Sequence, residues 1–327
     1  MPDDRVLWDT WLRAYHFPAL TVADEIGLFA FLEKRPATAD DVAAALSLSP
    51  RASEALLGTL RALGFLERRD GRFGNTPEAS AFLVPSSPTY WGGMLRFSRD
   101  VAVSHATLKD ALLKDRPRDG SMDAMWKSHE MTPEAAAAFT AAMHSRSVHL
   151  AEAMARRLDF RPVRRFLDVA GGSGVFATAV AKAHPQVRCT VLELDAVAKL
   201  ARDYSGGAVE VRTADMFRDP WPSGYDVHFF SNIFHDWDDG RCAALARRSI
   251  DALAPGGRIW IHEILLDDTR DGPLAAITDS LVMMLFTEGK QRSLGEFRAI
   301  LEGAGFRDVT ARPTSAYYTV VEGIKGQ

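Results

Sequence analysis

From residue 164 onward, short apolar runs alternate with stretches of helical period. Residues 166–170 have the length of a buried strand, and residues 175–183 read as a small-residue helix closed by His184-Pro185. Residues 189–194 form a second apolar run. Further strands are predicted at 209–214, 225–232 and 258–265, with a helix over 239–253 joining the last two. A helix over 293–303 precedes strands at 309–312 and 317–322, separated only by Pro313-Thr314-Ser315-Ala316. So short a link predicts an antiparallel hairpin. The alternation predicts an α/β sheet, mainly parallel, with one reversed strand.

The N-terminal half has a different rhythm. Residues 4–34 read as helical, with Leu7, Trp8, Trp11, Leu12 and Tyr15 among more apolar groups than one exposed helix carries. Thr38-Ala39-Asp40-Asp41 caps a short helix, Ser49-Pro50 opens a second, and Gly64 closes it. Residues 66–73 form a hairpin around Asp70-Gly71. This is the outline of a winged helix. Its second helix offers only Arg51 and Arg61 as cations, with Glu54 between them, which is too little for base readout. Residues 77–160 are helical and loop-rich.

The chain has 327 residues and a net charge of -4, which argues against binding nucleic acid through phosphate neutralisation. Cys189 and Cys242 lie in no C-x-x-C motif, so a reducing, cytoplasmic setting without structural zinc is expected. No signal peptide is evident, and no run of 18 apolar residues is long enough to span a membrane.

Three glycines, Gly171, Gly172 and Gly174, follow the first strand of the sheet. Without a Cβ they allow a tight turn and close backbone approach to a ligand. Glu193 ends the next strand, where a carboxylate can accept hydrogen bonds from a ribose diol. The turn alone leaves nicotinamide, flavin and other nucleoside ligands open, as well as a turn with no ligand. Asp215, followed by Met216-Phe217, suits an adenine but equally suits a helix cap. His235 follows the fourth strand at the sheet edge, placed to take a proton near neutral pH. Glu263, one strand on, is expected to hold the imidazole and favour its charged form. His262 should point to the opposite face, which argues against a metal site.

Taken together, LDVAGGSG, LELD, ADMF, HDW, APGGRIWIHE and EGKQRSLGEFRAILEGAGF resemble, in this order, the S-adenosylmethionine-dependent small-molecule O-methyltransferases. The resemblance covers nearly the whole chain. It implies a Rossmann-like class I methyltransferase sheet with a C-terminal antiparallel hairpin, preceded by a mainly helical winged-helix dimerisation domain. Expected divisions are 1–90, 91–160 (helical linker and substrate-pocket segment) and 161–327. The resemblance turns the N-terminal aromatics into a subunit interface and the molecule into a homodimer.

By the same resemblance, Glu193 and Leu194 meet the cofactor ribose, while Asp215, Met216 and Phe217 meet its adenine. Asp168, Ala170, Gly171, Gly172, Ser147 and Ser231 complete the cofactor site. His235 is the catalytic base, with Glu263 and Gln291 beside it. Phe139, Met143, Met283 and Asp236 line the substrate pocket. The chain departs from the family's pattern at three places. Ala170 replaces a glycine, Ser231 a lysine or arginine, and Gln291 a glutamate. The expected reaction is methyl transfer from S-adenosylmethionine to the hydroxyl of a small aromatic acceptor, without metal and leaving S-adenosylhomocysteine. Two alternatives stay open: a nicotinamide-dependent dehydrogenase, and a methyltransferase scaffold running a decarboxylation or cyclisation.

Overall fold

The computed structural model describes residues 2–101, 103–119, 121–128 and 130–326. The chain divides into two compact units, Met1–Ala102 and Val103–Gln327. The division falls inside the 91–160 segment.

In the first unit the helices Arg5–Leu12, His16–Glu25 and Leu28–Lys34 come first. Gly27, at φ 78°, makes the break between the last two. Thr38 and Asp41 form a reciprocal capping box at the start of Ala39–Ala45, and Ser49 caps Pro50–Ala62. Strands β1 (Leu66–Arg69) and β2 (Arg72–Asn75) pair antiparallel. Asp70 and Gly71 both have positive φ, as a two-residue hairpin turn of the primed type requires. Leu28, Phe29, Val42, Leu57, Leu60, Leu66 and Phe73 form the core under this winged-helix arrangement.

No residue of Arg5–Leu12 is buried in the single chain. Leu7 is 70% exposed and Trp8, Trp11 and Tyr15 are all more than half exposed. The three rings contact one another edge-on at 5.4 and 6.4 Å. So much contiguous aromatic surface marks an interaction face.

The second unit carries β3 (Arg165–Val169), β4 (Arg188–Glu193), β5 (Glu210–Thr213), β6 (Tyr225–Ser231), β7 (Leu253–Ile264), β8 (Phe306–Ser315) and β9 (Tyr318–Lys325). They form one sheet in the order β5-β4-β3-β6-β7-β9-β8. The first five are parallel, and β9 runs against both neighbours. The chain steps from β3 to one side and then returns to β6 on the other. A ligand crevice opens at the strand ends where that order reverses. Alternation along the strands feeds two cores. Phe166, Phe229 and Trp260 face one side, and Leu167, Phe230 and Ile261 the other.

The helix Asp195–Ser205 was not predicted, β7 begins at Leu253, five residues before the expected 258, and two further features differ from the sequence expectation. Residues 313–315, expected as a link, belong to β8, and the turn is only Ala316-Tyr317. An edge strand tolerates Pro313 because its outer side has no ladder to complete. The helix Leu274–Phe286 was not anticipated. It has no side-chain cap and little polar patterning, so periodicity does not reveal it. Among the described residues, no helix is long and apolar enough to cross a membrane.

Replacing Trp8 and Trp11 together by glutamate should place charge on a face buried between two copies. Light scattering should then give monomer mass for the variant and dimer mass for the parent. Dimer mass for both would remove the interface from this helix.

Candidate functional site

The glycine turn is built from below by Asp168. Its carboxyl is buried, and Oδ2 accepts from the Ala177 amide at 3.3 Å in the first turn of Val175–Ala183. A Cβ on Gly171 would lie 2.6 Å from that carboxyl carbon, so only glycine fits there. Gly172 and Gly174 take positive φ, and so does Ala170, at 52°. The alanine therefore keeps the left-handed conformation of the expected glycine and bears its strain.

Glu193 closes the turn from the neighbouring strand. Its Oε1 accepts from the Gly172 amide at 3.1 Å and its Oε2 from Leu194 at 2.6 Å. Burial pushes its carboxyl up to about 7, against those two donors. Burial likewise raises Asp168 to about 8. A carboxylate has about four acceptor sites, so Glu193 keeps capacity for a diol. Gly172 has open space where a side chain would stand. The turn thus fits the cofactor's ribose and methionine portion.

Beyond β5, Asp215 caps its own turn: Oδ1 accepts from the Phe217 amide at 2.7 Å and from Arg218 at 3.3 Å. The cap, one of the two readings open in sequence, is thus present, and it does not exclude the adenine reading. It leaves Met216 and Phe217 half-buried beside it. The Phe217 ring meets Trp237 edge-on at 4.9 Å, and Arg241 lies 5.1 Å over both rings.

His235 lies in a single 3-10 turn, Phe234–Asp236, directly after β6. Three groups hold that turn. Glu263 Oε1 accepts from the backbone amides of Ile233 and His235 at 3.2 and 3.1 Å. This corrects the expected pairing, because the carboxylate reaches the backbone of His235 and not its ring. The amides of so short a turn have no helical partner of their own, and Glu263 meets that need. Arg292, 1% exposed, donates to the carbonyls of Phe234 at 2.7 Å and Trp237 at 2.8 Å, and pairs with Asp239. Gly289 packs against the same turn: a Cβ there would stand 2.0 Å from the His235 carbonyl oxygen.

The imidazole itself is met by Gln291, whose Nε2 lies 2.7 Å from Nδ1. Asp236 Oδ1 lies 3.6 Å from Nε2. Burial pushes the imidazole down to about 3, helped by the positive charges of Arg146 and Arg292. The ring is therefore neutral at ordinary pH and carries one lone pair. With its NH2 inward, the Gln291 amide donates to Nδ1. Turned over, its carbonyl accepts Nδ1–H and frees Nε2.

His262 points to the other face of β7, as alternation requires, among Phe176, Phe229 and Tyr318. Ser231 does not face an open cleft alone. Its hydroxyl lies 3.1 Å from His262 Nδ1, whose Nε2 meets Thr314 at 2.8 Å. On the helix Pro133–Arg157, residues 139, 143 and 147 share a face by their spacing of four. Ser147 is buried, while Phe139 and Met143 are half-buried. Phe139 meets Trp126 at 5.8 Å, and Trp126 meets Trp237 at 6.0 Å. Met283 is buried on Leu274–Phe286. Sequence reasoning missed Arg292 and Asp279, and had Trp126 only among the aromatic positions that could line a pocket. Only the GKQRS signature hinted at the arginine.

The O-methyltransferase domain family matches residues 105–307, and the O-methyltransferase dimerisation domain matches residues 8–85. The chain belongs to the O-methyltransferase family. A 3-hydroxy-5-methyl-1-naphthoate 3-O-methyltransferase of Streptomyces sahachiroi is 35% identical over 89% of this chain and 86% of its own. An N,N-dimethyltransferase, OxyT, of Streptomyces rimosus is 32% identical over 90% of this chain and 88% of its own. The solved structure of human N-acetylserotonin methyltransferase with bound S-adenosylmethionine superposes with a TM-score of 0.85. It is 28% identical, over 99% of this chain and 97% of that one.

The methyltransferase is thus an S-adenosylmethionine-dependent enzyme, and its dimerisation domain supports a homodimer. In it the glycine turn, Glu193 and Asp215 lie at the ends of β3, β4 and β5, and His235 stands after β6. Position 170 tests the strained turn. Ala170→Gly should change stability by no more than about 1 kcal/mol, since glycine relieves the left-handed strain but is freer when unfolded. Ala170→Val should cost about 2 kcal/mol or more, because a β-branched residue is a genuine outlier at positive φ. Urea unfolding checks this, and equal stability of the valine variant and the parent would contradict it.

Proposed function

We propose that this methyltransferase methylates a hydroxyl group of a small aromatic acceptor and that His235 is the base. The observation that carries the reading is the His235 ring, held at Nδ1 by Gln291 and placed after β6, the strand next to β3, which carries the glycine turn. Bound S-adenosylmethionine supplies a methyl group already activated by its sulfonium. The chain's part is then to bind, orient and move one proton. Glu193 accepts the ribose hydroxyls. Met216 and Phe217 cover the adenine. The Gly171-Gly172 backbone and Ser147 border the methionine portion.

On the acceptor side, Phe139, Met143, Trp126 and Met283 offer apolar and aromatic surface for a flat ring. With the Gln291 carbonyl turned inward, Nδ1 keeps its proton and Nε2 takes the one on the acceptor hydroxyl. The O–H bond breaks as the N–H bond forms, and the oxygen pair is free to attack in line. Holding the reactants in line can supply up to roughly 7–11 kcal/mol of the barrier. A positioned base supplies about 10²–10⁴-fold when its pKa is near the working pH. A ring held at about 3 therefore depends on a neighbouring charge to offset its imidazolium. Glu263 and Arg292 act by fixing the turn that carries the ring. Asp236 borders Nε2, where the acceptor arrives. The relatives named for a naphthoate and for N-acetylserotonin support an aromatic acceptor. The dimethyltransferase makes the attacking atom worth testing.

The test is incubation with methyl-labelled S-adenosylmethionine and a panel of aromatic hydroxy and amino compounds, read by mass spectrometry. Label on oxygen is expected, and label found only on nitrogen would overturn the acceptor assignment. His235→Ala should cut turnover on an un-ionised phenol by about 10²-fold or more. Its cofactor affinity by calorimetry should stay unchanged. Full turnover in that variant would place the base elsewhere.

Cofactor affinity should also follow the ionisation of Glu193. The folded carboxyl loses its proton only near pH 7, so the ribose acceptor is fully charged only above that value. Calorimetry should find S-adenosylmethionine bound about tenfold more weakly at pH 6 than at pH 8, the tenfold per unit of an ionisation. Glu193→Gln should be weak at both. A parent protein with no pH dependence would separate Glu193 from the ribose.

A further inference from the structure

The helix Leu274–Phe286 brings a carboxylate to His235 that the chemistry of the 289–292 segment lacks. Gln291 carries no charge, yet its Nε2 lies 2.5 Å from Asp279 Oδ2 as well as 2.7 Å from His235 Nδ1. Asp279 Oδ2 is itself 3.9 Å from Nδ1. The same helix is tied to this segment a second time, by Ser280 Oγ accepting from the Gln291 amide at 3.3 Å. Asp279, Gln291 and the imidazole thus form one contiguous cluster, with the Asp279 side chain 24% exposed.

We infer that Asp279 is a positioning residue for His235, supplying the negative charge that favours a proton on Nδ1 and offsets the imidazolium formed when the hydroxyl proton is taken. This rests on His235 being the base. The reasoning is electrostatic. The cations that act on His235 are Arg146, from Pro133–Arg157, and Arg292. Both oppose a second positive charge. Glu263 turns its Oε1 to backbone amides and is raised by burial to about 7, and Asp236 lies on the Nε2 side. Tyr318, on β9, donates its hydroxyl to Asn232. Asp279 is the acid on the Nδ1 side. In the tautomer that acts as base, Nδ1 bears a proton. Turning the Gln291 carbonyl to Nδ1 gives up its bond to Asp279, so it is the charge of the Asp279 carboxylate, 3.9 Å from Nδ1, and not that bond, that stabilises this tautomer and the cation that follows. Burial raises the Asp279 carboxyl, while Arg146 and the Gln291 bond hold it down. At this short range a charge acts strongly in a site screened from water.

The experiment compares the full-length parent, D279N, Q291E, D279N/Q291E and H235A on two acceptors. One is a phenol un-ionised at the assay pH and the other a nitrophenol already ionised there. D279N should lose about tenfold or more in kcat on the un-ionised phenol. It should keep KM for S-adenosylmethionine and its turnover on the ionised acceptor, which needs no base. Q291E should restore the double variant by returning a carboxylate to Nδ1. Equal losses on both acceptors, no loss, or no rescue would overturn the inference. If D279N lacks a cooperative thermal transition, D279E takes its place. Near-parental kcat on the un-ionised phenol then supports the inference, and an equal loss on both acceptors overturns it. H235A separates the two claims. Full turnover there removes the base itself, whereas a crippled H235A beside an unaffected D279N removes only the role of Asp279.

Discussion

The Arg292 guanidinium, buried against the carbonyls of Phe234 and Trp237, is the interaction on which the site depends. This 3-10 turn pairs the Asp236 and Trp237 amides with the carbonyls of Ile233 and Phe234, and leaves the amides of Ile233 and His235 and the Trp237 carbonyl to partners outside it. Left alone, it would not survive burial. Arg292 takes the carbonyl side and Glu263 the amide side, so two opposite charges close on one turn from two elements. Removing Glu263 would leave Arg292 its pair with Asp239, and removing Arg292 would raise further the Glu263 carboxyl, which burial already holds at about 7. The turn is rigid because both must be satisfied at once, and the imidazole inherits that rigidity. The same burial keeps the ring neutral.

A similar economy appears at the glycine turn. Asp168 and Glu193 are carboxyls placed under and beside a backbone loop, not on its surface. Their burial raises both, so the turn is held by groups that are reluctant to ionise. A cationic ligand with a ribose would favour the charged form of Glu193. Binding and ionisation are therefore linked at this position.

Much of the fold was legible in the chain. Strand-length apolar runs and glycine punctuation marked β3 to β7, and Thr38, Ser49 and Asp70-Gly71 marked the first unit. These are local signals, and local chemistry decides them. The edge strand β8 was read too short because Pro313 suggested a break that an edge position forgives. The helix Leu274–Phe286 lacks a cap and a polar face, so Asp279 had no predicted place in space. Glu263 and His235 were rightly brought together, since alternation on β7 puts Glu263 on the face of His235. Whether its carboxylate meets the ring or the backbone depends on the pitch of a three-residue turn, which no periodicity reports. Arg292 was hidden for a related reason. A buried arginine is recognised by its partners, and these are carbonyls without sequence identity.

The central claim is that His235 is a neutral imidazole kept so by burial and by its cationic neighbours. Nitrogen NMR of the ring-labelled protein, with H235A assigning the signal, tests it most directly. The account predicts that the ring stays neutral from pH 8 down to at least pH 5, since its folded value lies at about 3. A His235 ring that takes up its proton near 6.5, as an exposed histidine does, would contradict it.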